Sequence, residues 1–433
     1  MNKQECAIKY VEDNYLQFNR LRHDIIADKL QVRCAHPIGD RLEAKGERQE
    51  QWREMTKHDI NSIVCHAAQE YDANITSREV MTALQSDLIP DVHPLREYVL
   101  SCGEWTEEQP DWIDWVASQV RVKPLGDEAK GDKARGERLW RACFKKWFVA
   151  MVASWMKDEV VNHQVLVLIG KQGIFKTTWL EHLIPPHLRA YACKLANSND
   201  LNKDERLRIA EFGLISLDEI DSMNNRELNQ LKSVITATDV NERAAYAYTK
   251  ERRVRLASFC ASGNRRDFLT DITGNRRWLP FEVESIQNPF TTILPYERMY
   301  AQAWALAQDP LFSYWFDLEE IEVLEQHNQY FRDESNEEQL LPILFDVPAE
   351  DRGEFMTTAQ ISERLVTYGN IKKPMALSRL GMVLGTAGFR AVTRKAGSGR
   401  ARGWIVYQRD NDEIKNLRRL LKDETSQLDT AIY

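Results

Sequence analysis

Residues 165–180 read VLVLIGKQGIFKTTWL, an order that few backbones accommodate. The five apolar residues 165–169 have the length and aliphatic character of a buried strand. A glycine-bearing turn comes next, and Lys176, Thr177 and Thr178 open a helical run. Strand, glycine turn and helix together outline a loop that closes on phosphate. Glycines let backbone N–H groups converge on phosphate oxygens, the helix N-terminus adds partial positive charge, and a lysine reaches the outer phosphates. The candidate nucleotide ligands are Gly170, Gly173, Ile174, Phe175, Lys176, Thr177 and Thr178, with the Thr177 hydroxyl at a magnesium position. The match to G-x-x-x-x-G-K-[ST] is incomplete, because Phe175 stands where the second glycine belongs. Phenylalanine still donates its N–H, but it resists positive φ and its ring needs a place. An ordinary strand–turn–helix corner is the competing reading.

Downstream residues bear on that choice. An apolar strand at 212–217 ends in Asp218 and Glu219, the first of them 42 residues after Lys176. Acids at a strand end are where a magnesium–nucleotide site in a parallel sheet needs them. Asp218 would hold the ion through water, and Glu219 would polarise the attacking water. A third strand, 254–262, ends in Gly263 and Asn264. In ring-forming ATPases a polar side chain at this strand end helps place the water, although Asn264 also reads as a turn residue. The segment TGNRRWLPFEV then presents Arg276 and Arg277 from a Thr-Gly-Asn turn. One of them would serve as a finger in a neighbouring subunit's site; the alternative is a solvated pair.

Between the second and third strands lies VNERAAYAYTKERRVR, residues 240–255, which reads as an antiparallel hairpin turning at Thr249, Lys250 and Glu251. It carries Arg243, Lys250, Arg252, Arg253 and Arg255 with Tyr246 and Tyr248. Cations contact a nucleic-acid backbone and aromatics stack on bases, so this hairpin suits single-stranded DNA, against a solvated surface hairpin.

Ahead of the loop the pattern is helical. Helices are expected behind Asp59, behind a Ser77 cap and from Pro94, then over WIDWVASQV. Trp140, Phe144, Trp147, Phe148, Met151 and Trp155 recur every three or four residues, a stripe expected to pack on the adjoining sheet. The first fifty residues are less legible, and a small hairpin is the expectation there. The seven cysteines are scattered singly, which argues against a disulfide framework or a zinc site and for a reducing compartment. No apolar run reaches the length of a membrane span and no signal-peptide core is visible, so a cytoplasmic protein without membrane partners is expected. A net charge of −8 excludes nonspecific nucleic-acid binding by the whole surface, but not by local patches.

One such patch is C-terminal. After a connector at 340–347, a helix at 357–368, a second at 375–387 ended by Gly388, and two strands around a Gly-Ser-Gly turn have the order of a winged helix. Residues 364–409 hold ten Lys or Arg and no Asp or Glu, which favours DNA phosphate over a protein partner. Arg394, Lys395, Arg400 and Arg402 flank the wing tip, and Arg379 belongs to the helical part.

The order GKQGIFKTTW, LISLDEID, NERAAYAY, CASGN and TGNRRWLPFEV, with DINSIV, HPLREYV and FKKWFVAMVAS before it, resembles the virulence-associated protein E (VapE) family of phages and genomic islands. The resemblance spans about residues 59–283. It implies a central AAA+-like P-loop ATPase domain similar to superfamily 3 helicases behind a helical leader; with the C-terminal winged helix read above, the expected fold is α/β. It further implies ATP and Mg2+ as cofactors and a homo-oligomeric, hexameric motor acting on DNA in replication of a mobile element. Lys176, Thr177, Asp218 and Glu219 match the Walker motifs, Asn264 the sensor, Arg276 or Arg277 the finger, and Arg243 with Tyr246 the R-x-x-Y ahead of the sensor strand. No primase-like acidic motif is visible, so a primase would be a separate chain. The expected division is 1–58, a helical leader 59–158, the ATPase 159–335, the winged helix 340–410 and a charged tail 411–433. The rivals are a DNA-binding initiator or helicase loader that uses ATP as an assembly switch, and a monomeric P-loop kinase or transferase.

Overall fold

The computed structural model describes residues 1–34, 51–124, 134–195, 208–242, 251–270, 275–348, 353–396, 399–417 and 419, and every count below concerns these. The chain divides into two compact units, residues 1–264 with 277–320, and residues 265–276 with 321–433. The chain begins with α1 (Lys3–Asn14), β1 (Leu21–Asp24), β2 (Lys29–Cys34), β3 (Gln51–Glu54), α2 (Lys57–Tyr71), α3 (Ser77–Leu84), β4 (Asp91–Val92) and α4 (Pro94–Ser101). Next come α5 (Trp112–Ala117), β5 (Val120–Val122), α6 (Arg135–Met156), β6 (Val165–Ile169), α7 (Lys176–His182), β7 (Ala192–Leu195) and β8 (Leu214–Leu217). Then come α8 (Asn225–Thr236), β9 (Asp239–Glu242), β10 (Glu251–Val254), β11 (Ser258–Gly263), β12 (Trp278–Ile286), α9 (Tyr296–Gln308) and α10 (Leu318–Asn328). After these come α11 (Asn336–Leu344), β13 (Phe345–Asp346), β14 (Glu354–Met356), α12 (Thr358–Gly369), α13 (Leu377–Thr386), β15 (Arg390–Ala396) and β16 (Gly399–Gln408), with residues 411–417 helical beyond them. No described helix is long and apolar enough to cross a membrane.

Capping chemistry sets many helix starts. Reciprocal capping boxes join Asn2 to Glu5, Thr56 to Asp59, Thr76 to Glu79, Asn224 to Glu227, Ser335 to Glu338 and Thr357 to Gln360. Two expected caps move accordingly: Thr56, not Asp59, caps α2, and Thr76, not Ser77, caps α3. In both, a β-region threonine hydroxyl accepts the orphan N–H while the acid three residues on returns a bond to the threonine's backbone. The same device starts α1, a helix not expected from the sequence, ahead of the expected hairpin β1–β2. It also makes 336–344 helical, so the expected connector at 340–347 is instead the end of α11 and β13.

In the first unit, β3-β2-β1-β4 form a small sheet and β5-β12-β6-β11-β8-β7 a six-stranded one. Strands β12, β6, β11, β8 and β7 run parallel; β5 joins β12 antiparallel. Strand β6 is buried along its whole length, as a central parallel strand must be. Helix α6 packs on this sheet. Trp147 Nε1 donates to Phe259 O at 3.1 Å and Trp155 Nε1 to Gly213 O at 3.1 Å, which satisfies both buried indoles. A Cβ at Gly213 would lie 2.9 Å from the Trp155 ring, so only glycine allows that approach. Trp140, Phe144, Trp179 and Phe281 complete the aromatic layer that seats α7.

The second unit has a core of Leu341, Leu344, Ile361, Leu365, Leu380, Leu384, Phe389, Trp404 and Val406. Its order from α11 onward is helix, two short strands, helix, helix, hairpin, with β13, β14 and β15 all pairing β16 antiparallel. Gly388, at φ +87°, ends α13 in a conformation that glycine adopts without strain.

Candidate nucleotide site

The C-terminal ends of β6, β8 and β11 open on an apical cleft of about 310 Å³ lined by Gln172, Gly173, Phe175, Lys176, Thr177, Thr178, Asp218, Glu219, Ser262, Gly263 and Asn264. Three segments far apart in sequence meet here because β11 lies between β6 and β8. The loop leaves β6 at Gly170, whose N–H donates to Gly263 O on the neighbouring strand at 3.1 Å. A Cβ at Gly170 would sit 3.0 Å from Val283 O. Gly173 turns the loop at φ +86°. Half-buried Ile174 lies beside Gly170 and does not line the cleft.

Phe175 adopts φ +68° and ψ 17°, the left-handed conformation expected to be difficult for it, and serves as N-cap of α7. Its main chain therefore does what the missing glycine would do. Its ring leans edge-on against Phe290, centroids 6.3 Å apart.

The Lys176 side chain is buried, with Nζ 2.8 Å from both Gly170 O and Lys171 O and 3.4 Å from Asn264 Oδ1. Burial holds its ammonium below the usual lysine range, against the opposing charges of Asp221 and Asp218. Asp218 is the hub of a second network. Ser262 Oγ donates to its Oδ1 at 2.6 Å, Thr177 Oγ1 lies 3.2 Å from the same oxygen, and Lys194 Nζ is 2.8 Å from Oδ2. Burial opposes ionisation of Asp218, but Lys194, Ser262 and Thr177 together hold its carboxyl below the usual range. Its hydrogen bond to Asp218 raises the Lys194 ammonium in turn.

Glu219 comes next at φ +52°, exposed at the edge of the cleft. Asn264 donates its N–H to Asp221 Oδ1 at 3.0 Å. The sequence reading missed Ser262, Lys194 and Asp221. Ser262 and Asp221 lie inside stretches already singled out, but nothing in their spacing marks them, because they reach Asp218 and Asn264 across the sheet. The third strand is also shorter than expected. It starts at Ser258, because 251–254 belong to β10.

Residues 129–338 match the virulence-associated protein E-like domain family. The chain carries a domain of this family over those residues. The VapE-like match takes in the loop, both acids, the strand ending at Asn264 and the arginine pair. Among solved structures, the chain aligns with the apo structure of the NrS-1 C-terminal region (305–718), at TM-score 0.42 and 11% identity over 92% of this chain and 99% of that one. The A-form apo structure of the same region aligns at TM-score 0.43 and 11% identity, over 90% and 98%. No curated protein matches the sequence.

Arg276 and Arg277 sit on a one-turn 3-10 helix, Arg276 exposed and Arg277 half-buried, and neither is among the lining residues of the cleft. Of the hairpin residues, Arg243, Tyr246 and Lys250 lie outside the described residues, as does the side chain of Arg252 on β10. Strands β9 and β10 are antiparallel as expected, but Glu251 pairs with Glu242 and is not in the turn. Arg253 faces Asp28 and Glu211 at 3.2 and 3.6 Å, so carboxylates already engage it. Arg255, counted with the basic hairpin residues, is turned inward. Only 1% exposed, it donates to the carbonyls of Ala257, Ile235, Ala237 and Asn162, and burial pushes its guanidinium down to about 9.

In the second unit Arg379 donates to Thr270 O at 3.1 Å and lies 3.7 Å from Glu338, an internal strut more than a free surface cation. Arg394, Lys395, Arg400 and Arg402 are exposed on β15 and β16. In register, Lys395 opposes Arg400 and Thr393 opposes Arg402, which puts Lys395, Arg400 and Arg402 on one face. Arg394 is on the other, over the Phe355 ring at 5.2 Å.

Proposed function

We propose that this VapE-like chain is a P-loop ATPase that couples ATP hydrolysis to work on DNA in the replication of a phage or other mobile element. One observation carries the reading: Lys176 and Thr177 from the loop, Asp218 and Glu219 from β8, and Ser262 and Asn264 from β11 converge on one cleft at the C-terminal edge of a parallel sheet. Insertion of β11 between the loop strand and the acid strand supports an AAA+-like, superfamily 3 arrangement.

Each group then has a role. The α7 N-terminus and the loop N–H groups hold the phosphates, and Lys176 exchanges the Gly170 and Lys171 carbonyls for phosphate oxygens. The Thr177 hydroxyl and the Asp218 carboxylate are hard oxygen donors that fit Mg2+, which when bound neutralises charge on the phosphates. Glu219 accepts the proton of the attacking water, and Asn264, braced by Asp221 and touching Lys176, orients that water. Arg276 or Arg277 acts as a finger in the next subunit of a head-to-tail ring, the hexamer implied by the family. Strands β9 and β10, with residues 243–250 between them in sequence, track one DNA strand.

The second unit supports DNA binding through its hairpin. From β14 onward the strand–helix–helix–hairpin order fits a winged helix, and β15–β16 is its wing. Like charges directly opposite on a sheet repel, so phosphate between Lys395 and Arg400 relieves a cost built into the apo strand pair. Exposed positions on α13 are Leu377, Ser378, Met382, Gly385 and Thr386, none of them basic.

The test is steady-state ATP hydrolysis with and without single-stranded DNA. Stimulation by DNA, with loss of turnover in both Lys176→Ala and Glu219→Gln, is the expected result. Nucleotide binding without turnover under any DNA condition would instead make the protein an ATP-dependent assembly switch.

A further inference from the structure

The loop at 287–295, after β12, is fixed at both ends yet displays a large aromatic to solvent. Gln287 N–H donates to Gln119 O at 2.9 Å, and Tyr296 Oη donates to His182 O at 2.7 Å. Between them Asn288 organises a tight turn. Its side chain accepts the Phe290 N–H at 3.0 Å, and its carbonyl accepts the N–H groups of Thr291 and Thr292 at 3.1 Å. Pro289 is buried beside this turn, while Phe290 is 71% exposed. A ring this exposed on a braced loop is held there by its backbone.

Its position relative to α7 indicates what covers it. The Phe290 ring meets Phe175 of the phosphate loop edge-on at 6.3 Å and His182 edge-on at 5.5 Å, at interplanar angles of 81° and 88°. The planes of both neighbours stand nearly perpendicular to the Phe290 ring, so neither is stacked parallel to it. His182 lies one turn beyond Thr178 on α7, about 6 Å along the axis. Its Nδ1 donates to Thr178 O at 2.7 Å, which fixes the ring. A nucleoside triphosphate whose phosphates lie at the start of α7 extends its base away from Lys176, past Thr178, toward this shelf.

We infer that Phe290 is the stacking platform for the purine base of the bound nucleotide, with Phe175 and His182 packed against it at right angles. This rests on the nucleotide-site reading above and adds the base subsite to it. It also gives Phe175 a part in binding that glycine at that position would lack. Base–aromatic stacking contributes about tenfold in affinity per base.

The experiment measures binding of ATP and of inorganic tripolyphosphate to the full chain by calorimetry, for the native protein, Phe290→Ala, Phe290→Trp and Lys176→Ala. Phe290→Ala is expected to weaken ATP about tenfold and leave tripolyphosphate unchanged. Phe290→Trp is expected to restore ATP affinity and to add a fluorescence signal quenched by ATP but not by tripolyphosphate. Equal losses for both ligands in Phe290→Ala, or no loss for ATP, overturns the assignment. So does a smaller oligomer for Phe290→Ala without nucleotide in sedimentation, since a second copy of the chain then covers the ring. Lys176→Ala distinguishes the two levels: if it weakens neither ligand, the nucleotide-site reading itself fails and the shelf falls with it.

Discussion

Phe175 is where the loop after β6 departs from the expected G-x-x-x-x-G-K-[ST] pattern, and its geometry removes the apparent obstacle. A left-handed φ costs an L-residue about 1–2 kcal/mol, and the chain accepts that cost while the loop keeps its path. The ring's destination, Phe290, lies 115 residues downstream, so no local reading of the loop finds it. Phe175→Gly is expected to retain ATP turnover. Phe175→Ala keeps the strain without the ring and is expected to be less stable than Phe175→Gly by about 1 kcal/mol, read from urea melts. Lys194 illustrates the same distance problem. It is an unremarkable lysine in sequence, yet the parallel pairing of β7 with β8 brings it to Asp218.

Helix starts carry a consequence that pH exposes. His93 caps α4, its Nδ1 accepting the Arg96 N–H at 3.2 Å, while its Nε2 is shielded from solvent without a hydrogen-bond partner among the described residues. Burial, with the nearby Arg96 charge, pulls the imidazole down to about 4. The unfolded chain binds the proton from about pH 6.5 downward and the folded chain only near pH 4. Stability is therefore full above the unfolded value and falls with pH through that window, by about 2 kcal/mol at pH 5. His93→Asn keeps a capping acceptor and does not titrate, so thermal unfolding at pH 7 and pH 5 should show a smaller acid loss in the variant than in the native chain. Element existence was legible from such caps and from periodicity: the stripe on α6, β6, β8 and both helices before β15 are where the pattern puts them, to within a few residues. Boundaries were less so, because Thr56 and Asp59, or Thr76 and Glu79, share one capping box and either can be taken for the cap.

For the whole molecule, charge is distributed unevenly, −8 overall against a 364–409 stretch with no acid. Register concentrates Lys395, Arg400 and Arg402 on one face of the β15–β16 hairpin, while Arg379 is spent on internal contacts. Replacing Lys395, Arg400 or Arg402 singly by Ala should lower the slope of log affinity against log salt by about one each, uniformly across DNA sequences. Arg379→Ala should leave that slope unchanged and instead lower stability. Fluorescence anisotropy with labelled duplex and single-stranded DNA over a salt series, with a melt of each variant, measures both.

Sequence alone determined the ordered set of chemical groups: a lysine and threonine after a buried strand, an acid pair after a second, an asparagine after a third, and a basic hairpin at the end. Those signals are local, since a strand's composition and a helix's caps depend on neighbours within a few residues. Tertiary structure decided which groups meet. The insertion of β11 between β6 and β8 brings Ser262 to Asp218, side-by-side pairing with β8 brings Lys194 there, and a braced loop sets Phe290 against Phe175. It also turned Arg255 inward to satisfy backbone carbonyls, a fate its basic neighbours in sequence do not reveal. Contacts of this kind depend on strand order and register, which are global properties of the packed sheet.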